Sequence, residues 1–103
     1  MKLHLGCWHR EIPGFIHVDL SKMPHIDYNK DIGDLSFASN ESVDYIYCSH
    51  ALEYKDFDEA KEVLKEWKRV LKKDGLLRIA VPDFDQLIWL YNHKDCYLDF
   101  IIG

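Results

Sequence analysis

Short apolar runs separated by turn residues form the main pattern of hydrophobic and polar positions along this chain. Such runs are typical of buried parallel strands. Four of them predict strands: Lys2–Leu5, Phe15–Asp19, Val43–Cys48 and Leu76–Val81. The segment His25–Asp31 follows a proline and predicts a short edge strand, the third in chain order.

Two segments show a helical period. Phe57–Lys72 carries apolar residues at every third or fourth position, which predicts an amphipathic helix. Asp56, with a glutamate three residues later, forms a capping box at its start, and Gly75 is suited to its exit. The charges from Glu62 to Arg69 are interpreted as a solvated face. A second helix is predicted over Phe84–His93.

Strands that alternate with helices predict an α/β fold of one domain, residues 1–103. We expect a Rossmann-like three-layer sandwich of about five mostly parallel strands in the order 3-2-1-4-5. Ligands of such sheets bind beyond the carboxyl ends of the strands. The residues predicted at those ends are Gly6–Trp8, Asp19–Leu20, Asp31–Leu35, Ser49–His50 and Pro82–Phe84.

The connection between the first two strands is short. Cys7–Gly14 contains eight residues. Extended, they span at most about 26 Å and can return along a strand of about 17 Å, whereas a helix of that length spans about 12 Å. The first crossover helix should therefore be missing, which leaves a bare patch of sheet and predicts a homodimer. An antiparallel hairpin is the competing geometry.

Composition narrows the function classes. The chain has 103 residues and a net charge of −5, so we expect no nucleic-acid partner and no binding to anionic membranes. Three widely spaced cysteines predict reduced thiols, and no cluster of metal ligands is apparent. No apolar run approaches the roughly 20 residues of a membrane span. These features predict a cytoplasmic protein.

Two residues at predicted strand ends suit a nucleoside. Gly6 lets the backbone approach a ligand without an intervening side chain. Asp19, at the end of the next strand, can accept hydrogen bonds from both ribose hydroxyls. Each residue also suits an ordinary tight turn.

Several linked blocks of sequence resemble the class I S-adenosylmethionine-dependent methyltransferases. The blocks are Leu3-His-Leu-Gly-Cys-Trp8, Pro13-Gly-Phe-Ile-His-Val-Asp19, Ser42-Val-Asp-Tyr-Ile-Tyr-Cys-Ser-His-Ala-Leu-Glu-Tyr54 and Val63-Leu-Lys-Glu-Trp-Lys-Arg-Val-Leu-Lys-Lys-Asp-Gly75. They occur in the order typical of the family and cover most of the chain.

The resemblance implies S-adenosylmethionine as cofactor and assigns roles at the first two strand ends. Gly6, Cys7 and Trp8 would face the methionine part and the sulfonium. Asp19 would bind the ribose, with Leu20 beside it.

The resemblance also assigns the far side of the crevice. Asp31 would lie near the adenine amino group, with Leu35 nearby, and Ser49 and His50 would flank the methyl-transfer site. The implied reaction is direct displacement of the activated methyl by a small-molecule or other acceptor. His50 is the candidate catalytic residue.

The departures from the family pattern leave rival interpretations open. Trp8 stands where the family usually has glycine, so the indole either stacks on the ligand or fills the pocket. Relatives continue past the equivalent of Gly103 with two further strands, so we expect a truncated domain, as a fragment or a reduced relative. The rival function is a non-catalytic interaction or dimerisation module. A dinucleotide-binding domain is disfavoured, since the spaced glycines are missing.

Overall fold

The computed structural model describes residues 1–49, 51 and 55–80, together with the backbone of a strand at 97–101. Its elements are β1 (Lys2–Leu5), β2 (Ile16–Val18), β3 (Val43–Ser49), α1 (Phe57–Val70), β4 (Leu71–Ala80) and β5 (Tyr97–Ile101). The predicted helix Phe84–His93 lies outside the described residues, as does His50.

The strands form one sheet in the order β2-β1-β3-β4-β5, and every neighbouring pair is parallel. This confirms the predicted α/β class. β1 lies between β2 and β3, with Leu5 in register with Val18 on one side and Cys48 on the other. The carboxyl ends of these three strands therefore meet at one edge of the sheet.

The first crossover contains no helix, as its length predicts. β1 and β2 are parallel, with Leu3 opposite Ile16, so the alternative hairpin does not form. The connecting loop contains two turns, and after it the Phe15 ring packs edge-on against His4 at 6.3 Å and Tyr45 at 5.4 Å between centroids on one sheet face. The loop thus covers part of the face that a helix would otherwise protect.

Helix α1 packs on the opposite face. A capping box at Asp56 begins it, since the Asp56 carboxylate accepts the Glu59 N–H and the Glu59 carboxylate accepts the Asp56 N–H. Its buried stripe joins the inward-facing residues of the strands in one hydrophobic cluster. The described residues form two layers, with a helix on one face, where three layers were predicted. Within these ranges no helix has the length and hydropathy of a membrane span.

The C-terminal boundary of α1 corrects the prediction. The helix ends at Val70, and Leu71 is already extended (φ −70°, ψ 137°) and pairs with Val43 of β3. β4 thus begins at the position where two more helical residues were expected, because Leu71 pairs with β3 directly after the last residue of the helix. Gly75 lies within β4 rather than at a helix exit; a Cβ there would lie 2.8 Å from Leu71 Cδ2.

The prediction of a third strand at His25–Asp31 is wrong. The segment is reduced to a single parallel bridge between Val18 and Tyr28. The Asp27 carboxylate accepts the His17 N–H at 2.8 Å, so a side chain takes a hydrogen bond that a strand neighbour would have made. The other four strands of the predicted order, 2-1-4-5, correspond to β2-β1-β3-β4 and lie in the predicted order. The sheet then continues to β5, a strand that the sequence analysis did not predict.

Candidate functional site

A cavity of about 550 Å³ opens at the carboxyl ends of β1, β2 and β3. The structure brings all but two of the predicted cofactor residues to its wall: Gly6, Cys7, Trp8, Asp19, Leu20, Asp31 and Ser49. The two exceptions are His50, which is outside the described residues, and Leu35, which is fully buried away from the cavity.

The turn after β1 forms the centre of the wall. Gly6 has φ +65°, and its N–H donates to the Val18 carbonyl at 2.8 Å, which ties the turn to the end of β2. A Cβ on Gly6 would lie 2.6 Å from the Ala51 Cβ, so glycine is required both by the backbone conformation and by the close approach of the segment after β3.

Asp19 is anchored by the backbone on both carboxylate oxygens. Oδ2 accepts the Trp8 N–H at 2.9 Å and Oδ1 accepts the Ser21 N–H at 2.7 Å. A carboxylate offers about four lone-pair sites, so each oxygen keeps one for a ligand. The side chain is thereby fixed in orientation but retains capacity to accept two further hydrogen bonds.

Asp31 forms the other acidic wall. Its Oδ2 accepts the Gly33 N–H at 2.9 Å, and its Oδ1 accepts from the Lys55 ammonium at 2.5 Å. Lys55 precedes the cap of α1, so this ion pair links the start of the helix to the loop after the Val18–Tyr28 bridge. Sequence reasoning missed Lys55, because no local signal places it beside a residue 24 positions away.

Three side chains of α1 hold the loop that carries Asp31. The buried Trp67 indole donates to the Ile32 carbonyl at 2.8 Å. Glu66 accepts the Leu35 N–H at 3.2 Å, and Arg69 donates to the Leu35 carbonyl at 3.0 Å. Both backbone groups of Leu35 are thus occupied by the helix.

The same contacts correct the interpretation of the helix charges. Lys65 and Glu62 form an exposed pair, but Glu66 and Arg69 are bonded to each other and to the loop. The Arg69 guanidinium holds the pKa of Glu66 below its usual range. The positions from Glu62 to Arg69 are therefore only partly a solvated face.

A family model described as "methyltransferase domain" matches residues 13–79, which include the second strand, Asp31, β3, α1 and most of β4. The chain belongs to the methyltransferase domain family. No curated protein and no solved structure matches it. The family match supports a methyltransferase function in general.

The cavity of this methyltransferase domain is open rather than filled by Trp8. The indole is 59% exposed and stacks on the His9 ring, with centroids 4.8 Å apart. It lies at the cavity wall, and Leu20, 68% exposed, shares this wall. The structure therefore does not support the interpretation in which Trp8 fills the pocket.

His4 is a cavity residue that sequence reasoning missed. It points to the loop-covered face of β1, stacks on Tyr47 at 5.0 Å between centroids, and is 1% exposed. Burial, with the nearby charges of His17 and Arg10, lowers its pKa to about 4, so the ring is neutral at pH 7. Its position between two buried leucines in β1 was the available signal.

The remaining chemical groups of the wall are basic or inert. Arg10 and Lys30 join Lys55 in lining the cavity, which gives it three cations beside two carboxylates. Burial raises the pKa of the Cys7 thiol to about 11, so Cys7 is a neutral thiol. Cys7 forms no disulfide. In the described part of the chain, no three histidine, cysteine or acidic side chains are placed to hold a metal ion.

Proposed function

We propose that this domain binds S-adenosylmethionine in the cavity at the strand ends and transfers its methyl group to an acceptor. The observation that carries the proposal is the state of Asp19. Two backbone N–H groups orient its carboxylate, and the lone pairs left free suit the two hydroxyls of a ribose.

The cavity suits a ligand of this kind in size and composition. Its volume of about 550 Å³ falls within the range of pockets that take small organic ligands and cofactors. Asp31 offers a second, separate acceptor for an adenine amino group, since each of its oxygens has one described partner. Ile32 and Ala51 supply apolar wall near it.

The protein's contribution to such a reaction is position and exclusion of water. When bound, S-adenosylmethionine would supply a methyl group activated by its sulfonium. Gly6 allows the backbone of the turn to lie close to the ligand, and Ser49 borders the cavity at the end of β3. Neutral His4 and neutral Cys7 add no positive charge to the wall that would face the sulfonium.

The acceptor is proposed to be a small molecule that attacks the methyl group through an oxygen, nitrogen, carbon or sulfur atom. His50 remains a prediction from the resemblance, and it lies outside the described residues.

Titration calorimetry with S-adenosylmethionine and with its demethylated product tests the proposal. We expect both to bind the wild-type protein. Asp19→Asn should weaken both by roughly 10- to 100-fold, because hydrogen bonds to a charged acceptor contribute about 1.5–3 kcal/mol. Circular dichroism should confirm that the variant is folded, since Asp19 also anchors Trp8.

Asp74→Asn is the matched control. Asp74 is an exposed carboxylate in β4 that does not line the cavity, so the same change of charge there should leave the affinity unaltered. No heat with either compound at millimolar concentration would contradict the proposal. Equal weakening by the two substitutions would show a charge effect without a ribose contact.

A further inference from the structure

Trp8 adopts a backbone conformation that tryptophan rarely tolerates. Its φ is +46°, in the left-handed region, where an L-residue with a side chain is disfavoured. Such a conformation persists when the surroundings dictate it, and it often marks a functional position. Here the Trp8 N–H donates to Asp19 at 2.9 Å and the Trp8 carbonyl accepts from His25 Nε2 at 2.5 Å.

These two hydrogen bonds hold the Trp8 backbone and therefore the position from which the indole extends. One face of the ring is stacked on His9, nearly parallel at 22°. Trp8 is still 59% exposed and lines the cavity, so ring surface not stacked on His9 is available to a ligand. A large aromatic side chain held in a disfavoured conformation yet left exposed contributes little to the core.

We propose that the open face of the Trp8 indole contacts the sulfonium cation of the bound cofactor and makes the site selective for the charged form. This inference rests on the proposed function. Tryptophan is the best aromatic partner for a cation, because the negative face of its π-system attracts positive charge.

The hydrogen bond to Asp19 places Trp8 near the expected position of the sulfonium. The Trp8 N–H is bonded to the carboxylate proposed to hold the ribose, and only one methylene separates the ribose ring from the sulfonium. With the base directed to Asp31 and Ile32, the sulfonium end extends toward the turn after β1. The indole belongs to that turn.

The neighbouring charges act in both directions. The Asp19 carboxylate, anchored to the Trp8 backbone, favours a cation at this end of the cavity. The Arg10 guanidinium, two residues along the same loop, opposes one. An aromatic ring face attracts the sulfonium without carrying a full negative charge. A second carboxylate at this position would also attract the Arg10 guanidinium.

The experiment compares the affinities of S-adenosylmethionine and its demethylated product, which is neutral at sulfur. We expect the wild-type protein to prefer the sulfonium. Trp8→Leu keeps an apolar side chain and the same backbone demand but removes the π-face, so the preference should fall by roughly two- to fivefold. Trp8→Phe keeps a smaller π-face and should retain an intermediate preference.

The outcomes separate the inference from the proposed function. If the preference is the same in Trp8→Leu as in the wild type while both compounds still bind, the inference is overturned and the proposed function stands. If the wild-type protein binds neither compound at millimolar concentration, both are overturned. A graded loss from tryptophan through phenylalanine to leucine, with the affinity for the demethylated product changed less than twofold, supports the inference.

Discussion

Replacement of Gly6 by alanine tests the structural basis of the site. The new Cβ would lie 2.6 Å from the Ala51 Cβ, whereas carbon atoms in contact prefer about 3.5–4.0 Å, so the two segments must separate by about 1 Å. Overpacking of this kind costs about 1–3 kcal/mol. The positive φ of +65° adds about 1–2 kcal/mol, partly offset by about 0.4–1 kcal/mol from the less flexible unfolded chain.

We therefore expect Gly6→Ala to lower the free energy of unfolding by about 1–4.5 kcal/mol, measured by urea denaturation. Gly14→Ala is the matched control, because Gly14 also has a positive φ, +87°, but no atom lies within 4 Å of its added Cβ. That variant should show the conformational cost alone, about 1 kcal/mol or less.

A double-mutant cycle isolates the contact itself. Ala51→Gly removes the atom that the new Cβ meets, so it should recover about 1–3 kcal/mol in the Gly6→Ala background. In the wild type it should recover nothing, because there is no clash to relieve. The reasoning is refuted if Gly6→Ala costs no more than Gly14→Ala, or if Ala51→Gly has the same effect in both backgrounds.

Three further predictions concern pH, the loop clamp and assembly. Burial lowers the pKa of His4 from 6.5 to about 4, so between these pH values the unfolded state binds the proton more readily than the folded state. The free energy of unfolding should therefore fall by about 3 kcal/mol as the pH drops from 6.5 to 4. In His4→Phe this part of the pH dependence should disappear. An unchanged slope in His4→Phe would assign the pH dependence to other groups. Arg69→Gln should cost about 1–3 kcal/mol in urea denaturation, because it removes the side-chain hydrogen bonds to the Leu35 and Ala38 carbonyls. Lys65→Gln breaks only an exposed pair and should change stability by less than about 0.5 kcal/mol; equal effects of the two substitutions would contradict this role of Arg69. The homodimer remains a prediction, based on the sheet face that no described helix covers; light scattering at high concentration should give twice the chain mass, and a monomer would remove the idea.

The strands β1 to β4 and the helix α1 were predictable because their signals are local. Buried parallel strands appear as short apolar runs, and α1 appears as a helical stripe behind a capping box. The element boundaries were less predictable. β4 begins at Leu71 because Val43 of β3 pairs with it, and that partner is 28 residues away, so no signal near Leu71 reveals the change from helix to strand.

The same distinction applies to the site. Gly6 and Asp19 could be recognised because they follow apolar runs, and the carboxyl ends of parallel strands must share one edge. His4 was missed because its place between two leucines indicates a buried strand but not that burial keeps the ring neutral or that the ring stacks on Tyr47. Lys55 was missed because its partner Asp31 is brought to it only by the fold.

The amino-acid sequence by itself determined the α/β class, the missing first crossover helix and the edge of the sheet where the cavity lies. The reason is that the period of the apolar residues and the length of the first connection are properties of short segments. Only the tertiary structure decided that the Trp8 indole stands open at the cavity wall, and that Lys55 pairs with Asp31. Those arrangements depend on contacts such as Trp8 with Asp19 and His25, which join segments that are distant along the chain and meet only once the sheet has formed.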